Sequence, residues 1–278
     1  MSDFLRDLRL GLRTAKGLVA QAGSKNQFEH VDSKKYFDSR YNLMPDYDNR
    51  RTLSAETTPL YSAMHYNTIE GNILALLNRF NPGLADPKVM DIGSGNGHWI
   101  DFYRKNLGAR AVTGVDIAAP AVENLKQKFA DDPAISVFEL DFSSDDVGAV
   151  GDGYDIISSI GTIHHITDDE KWARCVQNIA SCLAPGGVCI VSDRFGIVSI
   201  NDMFTSTDSM TGWSRQKIRR GAPADGCNFL LMKGRSRKAW TEAAEAAGCR
   251  VLAVRPYRAF MPFPGLSSRF NIMMFQKV

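Results

Sequence analysis

The sequence lacks any apolar run close to the ~20 residues that a transmembrane helix needs. It also lacks a continuous apolar segment near its start, because charged residues recur through residues 1–20. We therefore expect no signal peptide, no stable membrane insertion and a cytoplasmic location. The apolar spacing from Phe4 to Val19 predicts an amphipathic helix. It packs on the domain or on a second subunit of a homodimer, or lies on a membrane surface.

A charge excess is missing as well. Lys and Arg total 33 against 31 Asp and Glu, a net charge of +2, which gives no general electrostatic case for nucleic-acid binding. The five cysteines include no CxxC pair, so we expect buried thiols in a reducing compartment and no metal site. At 44% hydrophobic and 23% charged residues, the composition excludes fibrous and wholly disordered classes.

Strand-like and helix-like segments alternate from about residue 88. Short apolar segments predict strands, and the amphipathic stretches between them predict helices. This alternation implies right-handed crossovers and a parallel sheet with helices on both faces. The strand segments are Lys88–Ile92, Ala111–Ile117, Ile135–Leu140, Tyr154–Ile160 and Val188–Ser192, and the helices between them are Ala121–Ala130 and Asp168–Leu183.

The flanking segments complete this outline. The helix from Asp168 is expected to stop at Pro185-Gly186-Gly187. A helix from Ile69 to Phe80 is expected to dock just before the first strand, and another runs from Ser236 to Ala247. Two β-rich runs, Arg250–Tyr257 and Arg269–Lys277, predict a closing hairpin.

A glycine-rich turn follows the first predicted strand and is the most specific local signal. Asp91 precedes glycines 93, 95 and 97, and glycine there allows positive φ and close approach of a ligand. A dinucleotide-binding turn has the longer GxGxxG spacing and faces a pyrophosphate. A carboxylate at Asp91 repels a pyrophosphate but attracts an ammonium group, which weighs against a nicotinamide-dependent oxidoreductase.

Two further acids end the next predicted strands. An acid at Asp116 suits both hydroxyls of a ribose, through charge-assisted hydrogen bonds of about 1.5–3 kcal/mol each. Asp141 is followed by Phe142, a pair suited to the amino group and ring of adenine. The three strand ends together predict a site for an adenosyl compound with a cationic tail.

These motifs resemble the class I S-adenosylmethionine-dependent methyltransferases over about residues 70–278. The resemblance implies a Rossmann-like α/β fold. Its seven-stranded, mostly parallel sheet has the order 3-2-1-4-5-7-6, with the last strand antiparallel and helices on both faces. It also divides the chain into an N-terminal helical or lid extension, 1–69, and a cofactor-binding domain, 70–278, with the insert 194–235 capping the acceptor. Besides the glycine turn, the matching strings are Gly114-Val115-Asp116-Ile117, Leu140-Asp141-Phe142, Tyr154-Asp155 leading to Gly161–Ile166, and Leu183-Ala184-Pro185-Gly186-Gly187.

The same resemblance implies S-adenosylmethionine as the cofactor. Ile160 departs from the polar residue that many relatives carry there, so no catalytic side chain is expected at that position. The implied cofactor-binding residues are Asp91, Gly93, Gly95, Gly97, Asp116, Ile117, Asp141, Phe142, Ser159 and Ile160.

Residues outside the motifs are candidates for acceptor binding and chemistry. An imidazole titrates near neutrality, which makes His164 and His165 candidate bases, with packing as the alternative role. The tyrosines either cover a cation, which makes Tyr41 a further catalytic candidate, or pack as hydrophobic side chains with polar tips. The candidates for substrate binding are Tyr36, Tyr41, Arg219, Arg220 and Arg258, where the arginines either capture a carboxylate or phosphate or form a solvated face.

We therefore expect a methyltransferase acting on a small anionic or zwitterionic metabolite. S-methylation of an amino-acid-like thioether is one option, because a thioether has no proton to lose. Oxygen, nitrogen and carbon acceptors stay open. The alternatives are a tRNA, rRNA or protein methyltransferase, which the basic run 215–238 keeps open, and a non-catalytic cofactor-binding protein.

Overall fold

The computed structural model describes residues 33–43, 59–144, 146–193, 233–258 and 269–278. Within these ranges the chain forms one seven-stranded sheet with helices packed against it. The strands are β1 (Lys88–Ile92), β2 (Ala111–Asp116), β3 (Ile135–Glu139), β4 (Tyr154–Ile160), β5 (Leu183–Asp193), β6 (Cys249–Arg258) and β7 (Arg269–Lys277). The helices are α1 (Ser33–Leu43), α2 (Pro59–Phe80), α3 (His98–Leu107), α4 (Ala119–Lys128), α5 (Asp169–Cys182) and α6 (Arg237–Ala246), and 3₁₀ turns span Gly148–Val150 and Ile163–His165.

The strand order is β3-β2-β1-β4-β5-β7-β6. Strands β1 to β5 pair in parallel, whereas β7 is antiparallel to both β5 and β6. The predicted order, the antiparallel last strand and the pairing of the two closing β-rich runs are therefore confirmed. The carboxyl ends of β1 to β5 meet at one edge of the sheet, where ligands bind in open α/β sheets.

Strand β5 begins five residues earlier than its apolar core suggests. Tyr154 pairs with Leu183, but Ile156 pairs with Val188, so the residues between those two partners bulge out of the ladder. Gly186 lies in this bulge with φ +75°, a conformation that glycine adopts without strain. The preceding helix ends at Cys182, one residue before its predicted end, and Pro185-Gly186-Gly187 follow it but lie within β5.

Helix α2 begins ten residues before its predicted start at Ile69. Its first half is built from tyrosine, histidine and small residues, which give no clear aliphatic periodicity. The helix runs without interruption across residues 69 and 70, where the sequence suggested a division between extension and domain. That division stays a prediction.

Two hydrophobic clusters cover the two faces of the sheet. On one face α5 and α6 bury Trp172 and Trp240, whose rings meet edge to face at 5.0 Å. On the other face α2 and α3 bury aliphatic and aromatic side chains, among them Ile73, Trp99 and Ile100. Burying each such side chain contributes about 1.5–3 kcal/mol. The sheet edge that carries the acids is thereby held between two rigid layers.

Side-chain hydrogen bonds cap the N-termini of helices α5 and α6. The Asp168 carboxylate accepts a hydrogen bond from the backbone of Lys171, and the Ser236 hydroxyl accepts one from Ala239. Such N-caps are worth about 1 kcal/mol each. In the part of the chain that the structure describes, no helix is both long and apolar enough to cross a bilayer.

Candidate cofactor and acceptor site

The glycine turn between β1 and α3 has the backbone that its sequence predicts. Gly93, Gly95 and Gly97 all adopt positive φ, at 78°, 55° and 83°. A Cβ atom at Gly93 would overlap the Thr162 hydroxyl, and one at Gly95 would lie 2.9 Å from the Tyr41 hydroxyl. Glycine is therefore required on both conformational and steric grounds. The turn touches both the loop after β4 and helix α1.

Asp91 lies directly beneath this turn and is fully buried. Its Oδ1 accepts a hydrogen bond of 2.8 Å from the Ser158 hydroxyl, while its Oδ2 has no partner among the described residues. Burial raises the pKa of Asp91 to about 7, against the opposing hydrogen bonds from Ser158 and Ser94. A buried acceptor without a partner is rare in proteins, so Oδ2 is a suitable place for a donor from a ligand.

Asp116 ties the end of β2 to the glycine turn. Its Oδ2 accepts a hydrogen bond of 2.8 Å from the Gly95 amide, and its Oδ1 accepts one of 2.9 Å from Ala118. Each oxygen keeps acceptor capacity beyond these bonds, which suits two vicinal hydroxyls. Burial raises the pKa of Asp116, although the backbone hydrogen bonds act in the opposite direction.

The residues after β3 serve partly structural roles. Asp141 Oδ1 accepts hydrogen bonds from the Ser143 amide at 2.9 Å and its hydroxyl at 2.6 Å. The Phe142 ring is 3% exposed and packs in the core with Ile163 and Val176. A contact from Phe142 to adenine would therefore use its backbone. Ser159 and Ile160 end β4 at the same edge, and the buried Ser159 hydroxyl has no partner among the described residues.

Helix α1 lies across the strand ends and is anchored to three different loops. Lys34 donates hydrogen bonds to the Ile117 carbonyl at 3.0 Å and to Glu139 at 2.8 Å. The Ala119 amide donates to Asp38 at 3.0 Å. The Ser33 hydroxyl reaches the His165 carbonyl at 3.3 Å. The helix thus spans the ends of β2, β3 and β4.

The two tyrosines proposed for substrate binding both lie on α1. Tyr36 is 2% exposed, and the ring of its neighbour Phe37 meets His165 edge to face at 5.2 Å. Tyr41 reaches the glycine turn, as its distance from a Cβ at Gly95 shows. The structure thus brings Tyr41 and His165 to opposite ends of one helix that covers the motif residues.

The loop after β4 places His164 against a carboxylate that the sequence analysis did not single out. His164 Nδ1 lies 3.1 Å from Oδ1 of Asp193, the last residue of β5, whose side chain is 3% exposed. An acid directly after a buried strand at this edge is a signal that was available in the sequence. Its partner was not, because the pairing is set by the alignment of β4 and β5.

A buried arginine lies next to this pair. Arg235 Nε and Nη2 donate to Asp169 Oδ1 at 3.1 and 3.0 Å, and its guanidinium packs 4.5 Å from the centre of the Trp172 ring. Lys233 is also paired with Asp169, at 2.6 Å. These contacts hold the residues just before α6 against the first residue of α5.

A second polar group, also missed, lines the α2 side of the edge. The Ser192 and Tyr257 hydroxyls are 2.8 Å apart, and the buried His65 ring lies 5.8 Å from that of Tyr257. Burial lowers the pKa of His65 to about 4, so this imidazole is neutral near pH 7. His98, just after the glycine turn, lies 2.8 Å from Glu70 on α2.

Several predicted residues fall outside the described part of the chain. Arg219, Arg220 and all but the last three residues of the insert 194–235 belong to this group, as does the stretch 1–32. Arg258 ends β6, but its side chain is not among those described. Their roles stay predictions. Among the described residues, no three His, Cys, Asp or Glu side chains are grouped to hold a metal ion.

Comparison with protein families gives one match across the central sheet. A family model described as "Methyltransferase domain" matches residues 90–189, from β1 to β5. A curated protein from Mus musculus named "Probable tRNA methyltransferase 9B" is 29% identical over 132 residues, which cover 48% of this chain and 27% of the relative. The human protein of the same name is 27% identical over 127 residues. The chain thus spans about a quarter of the length of these relatives.

Solved structures share the fold over most of the chain. The CcbJ methyltransferase from Streptomyces caelestis has a TM-score of 0.57 at 16% identity, covering 89% of this chain and 100% of the other. The magnesium protoporphyrin IX methyltransferase from Synechocystis, solved with S-adenosylhomocysteine, has a TM-score of 0.57 at 16% identity, covering 88% and 98%. The N-methyltransferase NodS from Bradyrhizobium japonicum has 0.54 at 11%, covering 87% and 98%. At these identities the likeness establishes the fold alone.

Proposed function

We propose that this chain is a class I S-adenosylmethionine-dependent methyltransferase and that its acceptor is a small anionic or zwitterionic metabolite. The observation that carries the proposal is the position of α1, which is anchored to the loops after β2, β3 and β4 and covers the strand ends. A helix over the site suits an acceptor small enough to be enclosed. A folded macromolecule would need an open approach.

The described residues fit the adenosyl cofactor. The positive-φ glycine turn leaves room for close approach, and Asp116 keeps acceptor capacity for the ribose hydroxyls. Asp91 offers an unpartnered oxygen beneath the turn for the cationic methionine end. Asp141, Ile117, the Phe142 backbone and the end of β4 at Ser159 and Ile160 complete the proposed binding set. The bound cofactor supplies an activated methyl group on a sulfonium.

The role of the protein is then mainly one of positioning. Alignment of two bound reactants supplies roughly 7–11 kcal/mol of the barrier reduction. Helix α1 contributes by excluding water and by presenting Tyr41 at the glycine turn. A tyrosine ring or hydroxyl at that position suits the positive charge of a sulfonium. Arg235 and Lys233 are both paired with Asp169, so we propose that a cation for a negative acceptor group comes from the basic run 215–238.

Methyl transfer to tRNA is the second candidate, favoured by the similarity to the mouse and human proteins. The net charge of +2 speaks against it, because RNA enzymes usually carry a marked basic field. The basic run 215–238 is the feature that would have to supply such a field.

A labelling experiment separates these candidates. The protein is incubated with S-adenosylmethionine carrying a deuterated methyl group and, in parallel, with a small-molecule cell extract or total tRNA. We expect the mass label in a low-mass anionic product. Label found only in tRNA would favour the second candidate. Donor binding by calorimetry without label in either fraction would indicate a non-catalytic protein.

A further inference from the structure

The two nitrogens of the His164 imidazole have different surroundings, because Nδ1 lies beside Asp193 and Nε2 does not. Nδ1 is 3.1 Å from Asp193 Oδ1, close enough for an ion pair although the N–H is not aligned as a hydrogen bond. Catalytic contacts of this kind are often poorly aligned without substrate and tighten in the reacting complex. Nε2 makes no hydrogen bond within the described ranges, and the side chain keeps 14% of its surface exposed.

Asp193 is placed to hold this imidazole in one state. Its side chain is 3% exposed at the end of β5, between β4 and β7. A carboxylate accepts hydrogen bonds but donates none, so it favours a proton on the ring nitrogen next to it. That nitrogen is Nδ1, which leaves the lone pair of the imidazole on Nε2.

Other groups around His164 fix the turn and surround the His164–Asp193 pair. The Lys233 amide donates to the His164 carbonyl at 2.8 Å, and the His165 ring lies 4.2 Å from the His164 ring. The Arg235 guanidinium acts on Asp193 electrostatically from the α5 side. Within the described ranges, the titratable and charged side chains that face the pair are His165 and Arg235, and the Lys233 backbone lies beside them.

The segment after β4 that contains His164 also contacts the glycine turn. Thr162 packs against Gly93, and His164 follows two residues later, within about 7 Å along the chain. The imidazole is thus at the strand end where the proposed cofactor and acceptor meet. It is also separate from the Asp116 and Asp141 contacts proposed for the adenosyl group.

We infer that His164 is the base of the methyl transfer, with Asp193 as its positioning residue, and that the acceptor atom is a hydroxyl oxygen or an amine nitrogen. This inference rests on the proposed function. The lone pair of the acceptor atom forms the new bond to the methyl carbon as the carbon–sulfur bond breaks, and that bonding pair stays on sulfur. The acceptor proton passes to His164 Nε2, and Asp193 balances the resulting imidazolium. A thioether carries no proton, so this pair would have no use in S-methylation.

The first test reads the imidazole directly and needs no acceptor. Proton–nitrogen correlation spectra of the full chain report which ring nitrogen of each histidine carries a proton. We expect the Nδ1–H form at His164 in the wild type and a loss of that preference in Asp193→Asn. A wild-type His164 with its proton on Nε2 would overturn the inference, whatever the labelling experiment shows.

The second test compares variants in the deuterated-methyl assay with the small-molecule extract. General-base catalysis contributes about 10²–10⁴-fold, so His164→Gln should lose that much rate and should change how the rate depends on pH. Asp193→Asn should shift the pH profile with a smaller loss. Asp132→Asn is the matched control. It removes a carboxylate that lies away from the site and is paired with Arg104 at 2.9 Å, so this variant should keep the wild-type rate.

Donor binding and product analysis distinguish a failure of the proposed function from a failure of the inference about His164. Calorimetry with S-adenosylmethionine should give the same affinity for wild type, His164→Gln and Asp193→Asn, and thermal unfolding should confirm that all are folded. A wild type that does not bind the donor would contradict the proposed function. A methylated sulfur in the product, or a folded His164→Gln variant with unchanged rate and pH profile, would contradict the inference alone.

Discussion

Asp116 performs two tasks with one carboxylate, because it binds the glycine turn through Gly95 and is proposed to bind the cofactor ribose. Replacement by alanine should weaken S-adenosylmethionine binding at least tenfold, from the loss of about 1.5–3 kcal/mol of charge-assisted hydrogen bonding. Calorimetric titration measures the change, with Asp132→Ala as the surface control. An affinity equal to that of the wild type would remove Asp116 from the binding set.

Asp91 should make stability depend on pH. Its pKa is raised to about 7 in the folded chain, so the folded state holds a proton that the unfolded chain releases near pH 4. The resulting stabilisation is complete below about pH 4 and is lost as the pH rises toward 7. Urea unfolding at pH 5 and pH 7.5 should show a larger loss of unfolding free energy for the wild type than for Asp91→Asn. An equal loss in both would mean that Asp91 is ionised throughout.

The motif residues were predictable from the sequence because each is local to one strand end. The glycine turn needs only neighbouring residues, and its positive φ angles match the prediction at all three glycines. His164 and Asp193 are different, since their approach depends on how β4 and β5 align. The burial of Phe142 depends likewise on α5, which packs over it from a distant part of the chain.

The proposed role of helix α1 as a cover over the cofactor can be tested directly. The anchors at Lys34 and Asp38 are partly exposed, and such ion pairs are worth only about 0.2–1 kcal/mol each. Lys34→Ala combined with Asp38→Ala should therefore speed S-adenosylmethionine release by up to about tenfold. Stopped-flow displacement measures the rate. Lys238→Ala, on the exposed face of α6, is the control for loss of a surface charge. An unchanged release rate would mean that α1 does not cover the bound cofactor.

At the scale of elements, the strands were easier to predict than the helices. Central parallel strands are buried on both faces and read as short apolar runs, so β1 and β4 match their predicted bounds. The predicted range of helix α2 was too short, because the first half of the helix packs through His65 and other non-aliphatic side chains. The bulge in β5 follows from pairing with Tyr154, which no local pattern encodes.

For the molecule as a whole, ligand binding should register as stability. A donor concentration of 100 times Kd adds about 2.7 kcal/mol to the unfolding free energy, if only the folded chain binds it. A thermal shift should therefore accompany S-adenosylmethionine for the wild type and shrink strongly in Asp116→Ala. A shift that persists in the variant would indicate a binding site elsewhere.

The strand order of the whole sheet was predicted from the family resemblance, and no single segment contains that information. Pairwise alternation of strands and helices indicates a parallel sheet but leaves its order open. The acceptor chemistry is less accessible still. The polar group on the α2 side of the edge could not be predicted either, because His65, Ser192 and Tyr257 meet only in the folded chain.

The contacts of His164 have a consequence for how this protein can diversify. The two ends of the segment 194–232 are both attached to that one residue, Asp193 through its carboxylate and Lys233 through its amide. When the two ends of a chain segment are already fixed, each doubling of the number of residues between them costs only about 0.6 kcal/mol. We therefore predict that residues 194–232 can be exchanged while His164, Asp193 and Lys233 keep their contacts.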